Sequence, residues 1–132
     1  MNEFEYNQYL ETLLNIARLT NKENSILISF VVNEDKCMNK VSYLQRNGTK
    51  DELKNEEFPY DETFQNLLLE KLVIKYCDNM SIALQDNIDI DKDGKYTYRI
   101  ITEDNDMLTI DGITLEYAKK LMSLTKNKKV IA

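Results

Sequence analysis

The chain has 132 residues, of which 42% are hydrophobic and 30% are charged, and its formal net charge is −6. These values are typical of one globular domain that can bury a core without disulfides, and they argue against a disordered tail or a fibrous repeat. The acidic balance argues against direct nucleic-acid binding, because a protein needs a basic face to neutralise phosphates.

The first part of the chain predicts a helix followed by two strands. Apolar residues recur at helical spacing over residues 3–20, and Asn2 is suited to cap this helix. Residues 25–32 alternate as a strand with apolar residues on both faces, which is typical of a central strand. Residues 40–46 are predicted to pair back as a second strand after a polar loop.

An acidic segment without a clear period follows at residues 49–62. It contains the single proline of the chain, Pro59, and is predicted to be an irregular loop. A broad apolar stripe over residues 61–76 then predicts the central helix of the core.

A three-stranded antiparallel meander is predicted over residues 80–112, because apolar and polar residues alternate in each of its three runs. Gly94 supplies the positive φ that its first hairpin turn requires. Thr114 is suited to cap a last helix, which leads into a short basic tail at residues 126–132.

This order of elements predicts a single α+β domain: helix, two strands, helix, three-stranded meander, helix. The segregated strands favour an antiparallel sheet with helices mainly on one face. No linker or low-complexity tract divides the chain. Residues 40–46 are expected to form an exposed strand that could pair with a second copy, so a homodimer is one alternative.

The expected location is the cytoplasm, without membrane association. The N-terminus is acidic, whereas an export signal opens with basic residues, and no apolar stretch reaches the roughly 20 residues that span a bilayer. Cys37 and Cys77 have no metal-ligand spacing. Two thiols in a chain of this size are more typical of a reducing compartment than of a disulfide framework.

The residue content favours a protein that is not an enzyme. The absence of histidine removes the commonest general base and the Ser-His and Cys-His nucleophile pairs. The three glycines form no phosphate-binding pattern. A histidine-free enzyme that uses carboxylates stays an alternative, although the sequence indicates no convincing pair.

One motif has a metal-binding mechanism. Asp89, Asp91 and Asp93 open a D-x-D-x-D-G sequence, which resembles the start of an EF-hand calcium loop. The resemblance ends there, because Ile100 occupies the position of the bidentate glutamate. In a meander, Asp111 would return to the same end as a fourth carboxylate. A weak calcium site is therefore an alternative to a plain hairpin turn, which uses the same residue types. No other cofactor is expected.

The other feature is an acidic surface, with carboxylates clustered at residues 51–62, 86–93 and 103–111. Complementary charge speeds the encounter of small acidic inhibitors with basic proteins. In charge and size the chain is comparable to toxin-immunity proteins, phage counter-defence inhibitors of the anti-CRISPR type, and secretion chaperones. We therefore hypothesise that it inhibits or sequesters a basic or nucleic-acid-handling protein, and a secretion-chaperone-like role is an alternative.

The residues predicted to bind this partner lie in the acidic segment and in the second turn of the meander. Tyr60 is expected to be exposed as an aromatic anchor, whereas Tyr96 and Tyr98 are expected to pack in the core. The candidates for partner binding are Glu56, Glu57, Tyr60, Asp61, Glu103 and Asp104.

Overall fold

The computed structural model describes residues 1–18, 26–47, 50–79, 84–91, 93–102 and 106–125. Within these ranges, helices pack on one face of a six-stranded sheet. The helices are α1 (Glu3–Arg18), α2 (Gln65–Asn79) and α3 (Leu115–Leu124). The strands are β1 (Ile26–Asn33), β2 (Met38–Asn47), β3 (Lys50–Pro59), β4 (Leu84–Ile90), β5 (Tyr96–Thr102) and β6 (Met107–Ile113).

The sheet is mixed, with the strand order β3-β2-β1-β6-β5-β4. Every neighbouring pair is antiparallel except β1 and β6, which run parallel. The predicted α+β class, with helices on one face, is confirmed. The strand count and order differ, because three strands precede α2 where two were predicted, and because the sheet is not wholly antiparallel.

The acidic segment predicted as an irregular loop forms β3, so that prediction is wrong. β3 pairs with β2 over its full length. It is an edge strand that buries little, and its sequence therefore shows no clear alternation. Phe58 is buried and stacks on Tyr9 with ring centroids 5.0 Å apart, whereas Leu53 is 66% exposed. Because β3 covers β2, the predicted exposed edge at residues 40–46 is also wrong.

The core lies between the helices and one face of the sheet. On β1, Ile28, Phe30 and Val32 point into the core, whereas Leu27 and Val31 point to the other face. We refer to that other face, which the described helices leave uncovered, as the open face. β1 is therefore central in the sheet, as predicted, but the described helices cover it on one side only.

The first and last helices begin at the capping residues that the sequence indicates. Asn2 Oδ1 accepts a hydrogen bond from the Glu5 N–H at 2.9 Å, and Thr114 Oγ1 accepts one from the Tyr117 N–H at 3.2 Å. The helix α2 begins later than predicted, because residues 61–64 precede it as a turn. None of the helices in the described ranges is long and apolar enough to cross a membrane.

A partly buried hydrogen-bond network holds the C-terminal end of α3 against the sheet. Tyr98 Oη donates to Asp86 Oδ2 at 2.7 Å, and Thr125 Oγ1 donates to the same oxygen at 2.9 Å. Burial is the main cause that raises the pKa of Tyr98. The predicted core position of Tyr98 is confirmed. Its partner strand β4 begins at Leu84, and residues 80–83 of the predicted first meander strand lie outside the described residues.

Candidate functional site

Four strands of the sheet, β1, β3, β4 and β6, run in the same direction, so their C-terminal residues lie at the same end of the sheet. Three of them lead into segments rich in carboxylates, at residues 34–37, 60–64 and 91–95. We refer to this end of the sheet as the acidic end. Its carboxylates are Glu34, Asp35, Asp61, Glu62, Asp91, Asp93 and Asp111.

An open cleft of about 490 Å³ lies at the acidic end, between the turn after β1 and the turn after β4. Lys95 is the single cationic residue among its described lining residues. Carboxylates separated by water repel one another weakly, so the fold tolerates them, while their summed field attracts cations. The carboxylates that line the cleft are Glu34, Asp35, Asp91, Asp93 and Asp111.

A smaller hollow of about 210 Å³ adjoins this acidic cleft. Tyr60 and Tyr117 line the hollow, and it shares Val32, Glu34 and Gly112 with the cleft. Lysine and arginine bury their apolar stems while their charged heads stay solvated. The two spaces together suit a basic side chain whose stem lies on the tyrosines and whose head lies among the carboxylates.

Tyr60 is half-buried, so the expectation that it is exposed is wrong. Its N–H donates to the carbonyl oxygen of Cys37 at 2.9 Å, and its hydroxyl donates to Glu34 Oε1 at 3.4 Å. The backbone bond continues the β2–β3 pairing beyond Pro59, and the hydroxyl bond holds the ring in the hollow. Burial first, and then the charge of Glu34, raise the pKa of Tyr60.

Asp61 makes two contacts at the start of the turn before α2. Its Oδ2 lies 3.0 Å from the amino nitrogen of Met1, and its Oδ1 accepts a hydrogen bond from the Thr63 N–H at 2.9 Å. The hydrogen bond with the amino group, followed by that with Thr63, lowers the pKa of Asp61. Asp61 therefore positions the start of the chain and the turn, in addition to adding charge to the acidic end.

Glu56 and Glu57 are both exposed but point to opposite faces of β3. Glu57 stands opposite Lys40 on the open face, and Glu56 stands opposite Val41 on the face that the helices cover. Both lie close to the acidic end, since β3 ends at Pro59.

Glu103 and Asp104 lie outside the described residues. Thr102 and Met107 are the strand residues on either side of them. Both lie at the end of the sheet opposite the acidic end. The predicted partner-binding residues in the described ranges therefore lie near the acidic end, on β3 and in the turn that follows it.

The aspartates of the predicted calcium site are brought together only in part. Asp91, Asp93 and Asp111 line the acidic cleft, as the return of Asp111 in a meander predicts. Asp89 instead lies on the open face, where its Oδ2 is 2.7 Å from Nη1 of Arg99. Across the described ranges, no group of three or more acidic, cysteine or histidine side chains is arranged to hold a metal ion.

Asp91 also has a structural role in the turn between β4 and β5. Its Oδ1 accepts hydrogen bonds from the N–H groups of Asp93 and Lys95, at 2.9 and 2.8 Å. Gly94 has a φ of 77°, as the predicted turn requires. This is the hydrogen bonding that a plain aspartate turn uses without metal.

Glu34 and Asp35 belong to the acidic cleft but were not among the predicted binding residues. The sequence shows their turn as polar and shows the turn at residues 91–95 as acidic. It does not show that the two turns are neighbours, because this depends on the parallel pairing of β1 with β6, between residues such as Val31 and Asp111.

Comparison of the chain with protein-family models, with curated proteins and with solved structures finds no match. The functional argument therefore depends on the geometry and charge of the acidic end.

Proposed function

We propose that the chain is a non-catalytic binding domain that inhibits or sequesters a basic protein through its acidic end. The observation that supports this is the convergence of five carboxylates from separate segments on one cleft, with Lys95 as the single cationic residue among the described lining residues. A lysine or arginine of the partner would enter the cleft, and its apolar stem would pack on Tyr60 and Tyr117.

The partner class follows from the same charge. A protein surface that binds nucleic acid is basic, and a row of carboxylates competes for it by replacing phosphates. We therefore favour a nucleic-acid-handling protein as the partner, as in immunity proteins and phage counter-defence inhibitors. Glu56 and Glu57 would extend the contact along β3. The complex would form in the cytoplasm, a reducing compartment of the kind that a two-cysteine chain of this size favours.

The experiment compares tagged variants in a pull-down from lysate of the native cell, followed by elution with rising salt. The cleft variant combines Glu34→Gln, Asp35→Asn and Asp93→Asn, all at exposed positions. Its matched control combines Glu3→Gln, Glu11→Gln and Glu116→Gln, which are exposed positions on α1 and α3 and remove the same charge. We expect a basic partner to bind the control with the same affinity as the native chain. We expect it to bind the cleft variant at least about tenfold more weakly.

A second variant, Glu56→Lys with Glu57→Lys, tests the contribution of β3. The proposal is wrong if the cleft variant and the control release the same partner at the same salt concentration. It is also wrong if the partner is acidic, since the field of the cleft would then oppose the complex.

A further inference from the structure

The open face carries an unbroken row of apolar side chains across five neighbouring strands. Leu27 of β1 stands opposite Leu44 on one side and Met107 on the other. The row continues to the strands beyond, because Leu44 stands opposite Leu53 and Met107 stands opposite Ile101. Leu27 is 38% exposed and Leu53 is 66% exposed. An apolar hollow of about 180 Å³ lies on this row.

Two further rows run beside the apolar row. The next row along the strands is small and polar at its centre, where Ser29 stands between Ser42 and Thr109. The row after that is charged on both sides of its centre, where Val31 stands between Lys40 and Asp111. The open face thus changes from apolar to polar to charged along the strand direction.

We propose that this open face is the interface of a homodimer, with two copies packed face to face about a two-fold axis parallel to β1. When this axis lies over β1, each row faces the same row of the second copy. The strands on one side of β1 then face the strands from the other side of β1 in the second copy. Leu27 then meets Leu27 of the second copy, and Leu44 meets Met107. In the charged row, Lys40 of each copy meets Asp111 of the other.

This self-complementarity is the reason to prefer a second copy over a basic partner. The described side chains of the open face carry two cations and three carboxylates, although the whole chain has a net charge of −6. Arg99 and Asp89 already pair with each other at 2.7 Å. A basic protein would therefore be drawn to the acidic end, and the open face would attract a surface with its own mixed pattern. The cations are Lys40 and Arg99, and the carboxylates are Glu57, Asp89 and Asp111.

The area is also sufficient. Five strands about 4.8 Å apart and about seven residues long present roughly 550 Å² per copy, or about 1,100 Å² in total. A specific interface needs at least about 1,000 Å² with good complementarity. Two sheets packed in this aligned way lie about 10 Å apart, which a lysine and an aspartate can span.

The first test is the oligomeric state by analytical ultracentrifugation, at about 0.15 M salt. We expect a dimer that Leu27→Glu and Leu53→Glu each weaken by about tenfold or more. The matched control is Leu67→Glu on α2, which changes a side chain of similar exposure, 42%, on a different surface. A native chain that stays monomeric at high concentration overturns the proposal. So does a dimer that Leu67→Glu weakens as much as Leu27→Glu.

The second test uses charge exchange between the two sites. Lys40→Asp alone and Asp111→Lys alone each bring like charges together at both symmetric contacts, so each should weaken its own dimer. An equal mixture of the two variants restores opposite charges at both contacts, and we expect the heterodimer to form in preference to either homodimer. A mixture that associates no better than the single variants rules out the two-fold arrangement.

Salt separates this inference from the proposed function. Two chains of charge −6 repel each other, and salt screens that repulsion together with the attraction between Lys40 and Asp111, so the dimer should weaken little as salt rises from about 0.05 to about 0.5 M. The complex with a basic partner, whose net charge is opposite to that of the chain, should weaken about tenfold or more over the same range. Asp111 lies both in the acidic cleft and on the open face, and the cleft variant leaves it and Lys40 unchanged, so either proposal can fail without the other.

Discussion

Asn39 of β2 and Gln65, the first residue of α2, exchange two hydrogen bonds through their side-chain amides. Asn39 Nδ2 donates to Gln65 Oε1 at 2.8 Å, and Gln65 Nε2 donates to Asn39 Oδ1 at 2.7 Å. Asn39 is 0% exposed and Gln65 is 3% exposed. This pair ties the start of α2 to the sheet beside the acidic end, where both Tyr60 and Gln65 line the smaller hollow.

Replacing Gln65 by alanine removes the N–H donor to Asn39 Oδ1 and the 2.8 Å bond from Asn39 Nδ2, which keeps its 3.3 Å bond to the carbonyl oxygen of Pro59. We expect Gln65→Ala to lower the free energy of unfolding by about 2–3 kcal/mol, measured by urea denaturation. Asn39→Ala should cost a similar amount, and the double variant should cost less than the sum, because either single substitution already breaks both bonds of the pair. The control is Ser42→Ala, which removes a 2.6 Å bond to Asn55 on the open face and should cost less than about 0.5 kcal/mol. Equal costs for Gln65→Ala and Ser42→Ala would contradict the assignment.

Gly112 and Gly94 form a matched pair for a test of backbone packing. Both have positive φ, 82° and 77°, so alanine is strained by about 1 kcal/mol at either position. At Gly112 an added Cβ would also overlap the carbonyl oxygen of Val32, whereas at Gly94 it would meet no atom within 4 Å. We expect Gly112→Ala to cost about 3 kcal/mol or more in a denaturation experiment, and Gly94→Ala to cost about 1 kcal/mol. Equal losses would show that β1 and β6 do not approach as closely as the structure indicates.

Two buried tyrosines should respond in opposite ways to loss of the hydroxyl. The Tyr76 hydroxyl is buried and makes no hydrogen bond with the described residues, whereas Tyr98 donates to Asp86. Tyr76→Phe should therefore be neutral or stabilise by up to about 1 kcal/mol, and Tyr98→Phe should destabilise by about 1–2 kcal/mol. Thermal melts of the two variants beside the native chain measure both. A Tyr76→Phe variant less stable than Tyr98→Phe would be inconsistent with these contacts.

The tyrosines also predict how stability depends on pH. Burial is the first cause that raises the pKa of five of them. A tyrosine whose pKa is raised in the folded state contributes to the free energy of unfolding while it is protonated. That contribution is complete below the ordinary tyrosine pKa of about 10, and it is lost as the pH rises above that value. We expect alkaline unfolding in which circular dichroism is lost together with a step in tyrosinate absorbance. The five residues are Tyr6, Tyr60, Tyr76, Tyr98 and Tyr117.

Ionisation of all eight tyrosines in one smooth step, with the fold intact, would contradict this prediction. Tyr98→Phe provides a control, because it removes one of the raised groups and should reduce the amplitude of the step that accompanies unfolding.

The calcium alternative is tested by the melting temperature. Asp89 is paired with Arg99, and the Asp91 carboxylate is already bonded to two N–H groups of its own turn. We therefore expect that calcium at about millimolar concentration leaves the melting temperature unchanged, because this turn would bind calcium more weakly than extracellular calcium-binding modules do. A rise that Asp93→Asn abolishes and that magnesium does not reproduce would instead favour a calcium site at this turn.

Much of the secondary structure could be predicted because it depends on neighbours in the chain. The amphipathic stripe of α1 and the cap at Thr114 are local, and both are present in the structure. The turn at Gly94 is local as well. By contrast, β3 was missed because an edge strand that carries Glu56 and Glu57 buries too few side chains to alternate.

The candidate site was predicted in part for the same reason. The carboxylates Asp91, Asp93 and Asp111 could be placed at one end, since a meander with short turns leaves a single arrangement. Glu34 joined them through a contact between the first and last strands, which no local pattern reveals. The position of Tyr60 was misjudged because its burial depends on α2 and α3, which supply Gln65 and Tyr117 to the same hollow.

The sequence by itself determined the acidic charge, the absence of histidine chemistry, the α+β class and the starts of α1 and α3, because composition, periodicity and caps act within a few residues. Only the tertiary structure decided the parallel pairing of β1 with β6, the acidic cleft and the rows of the open face. These depend on which strands become neighbours, and that choice is made by the burial of one shared face under the helices.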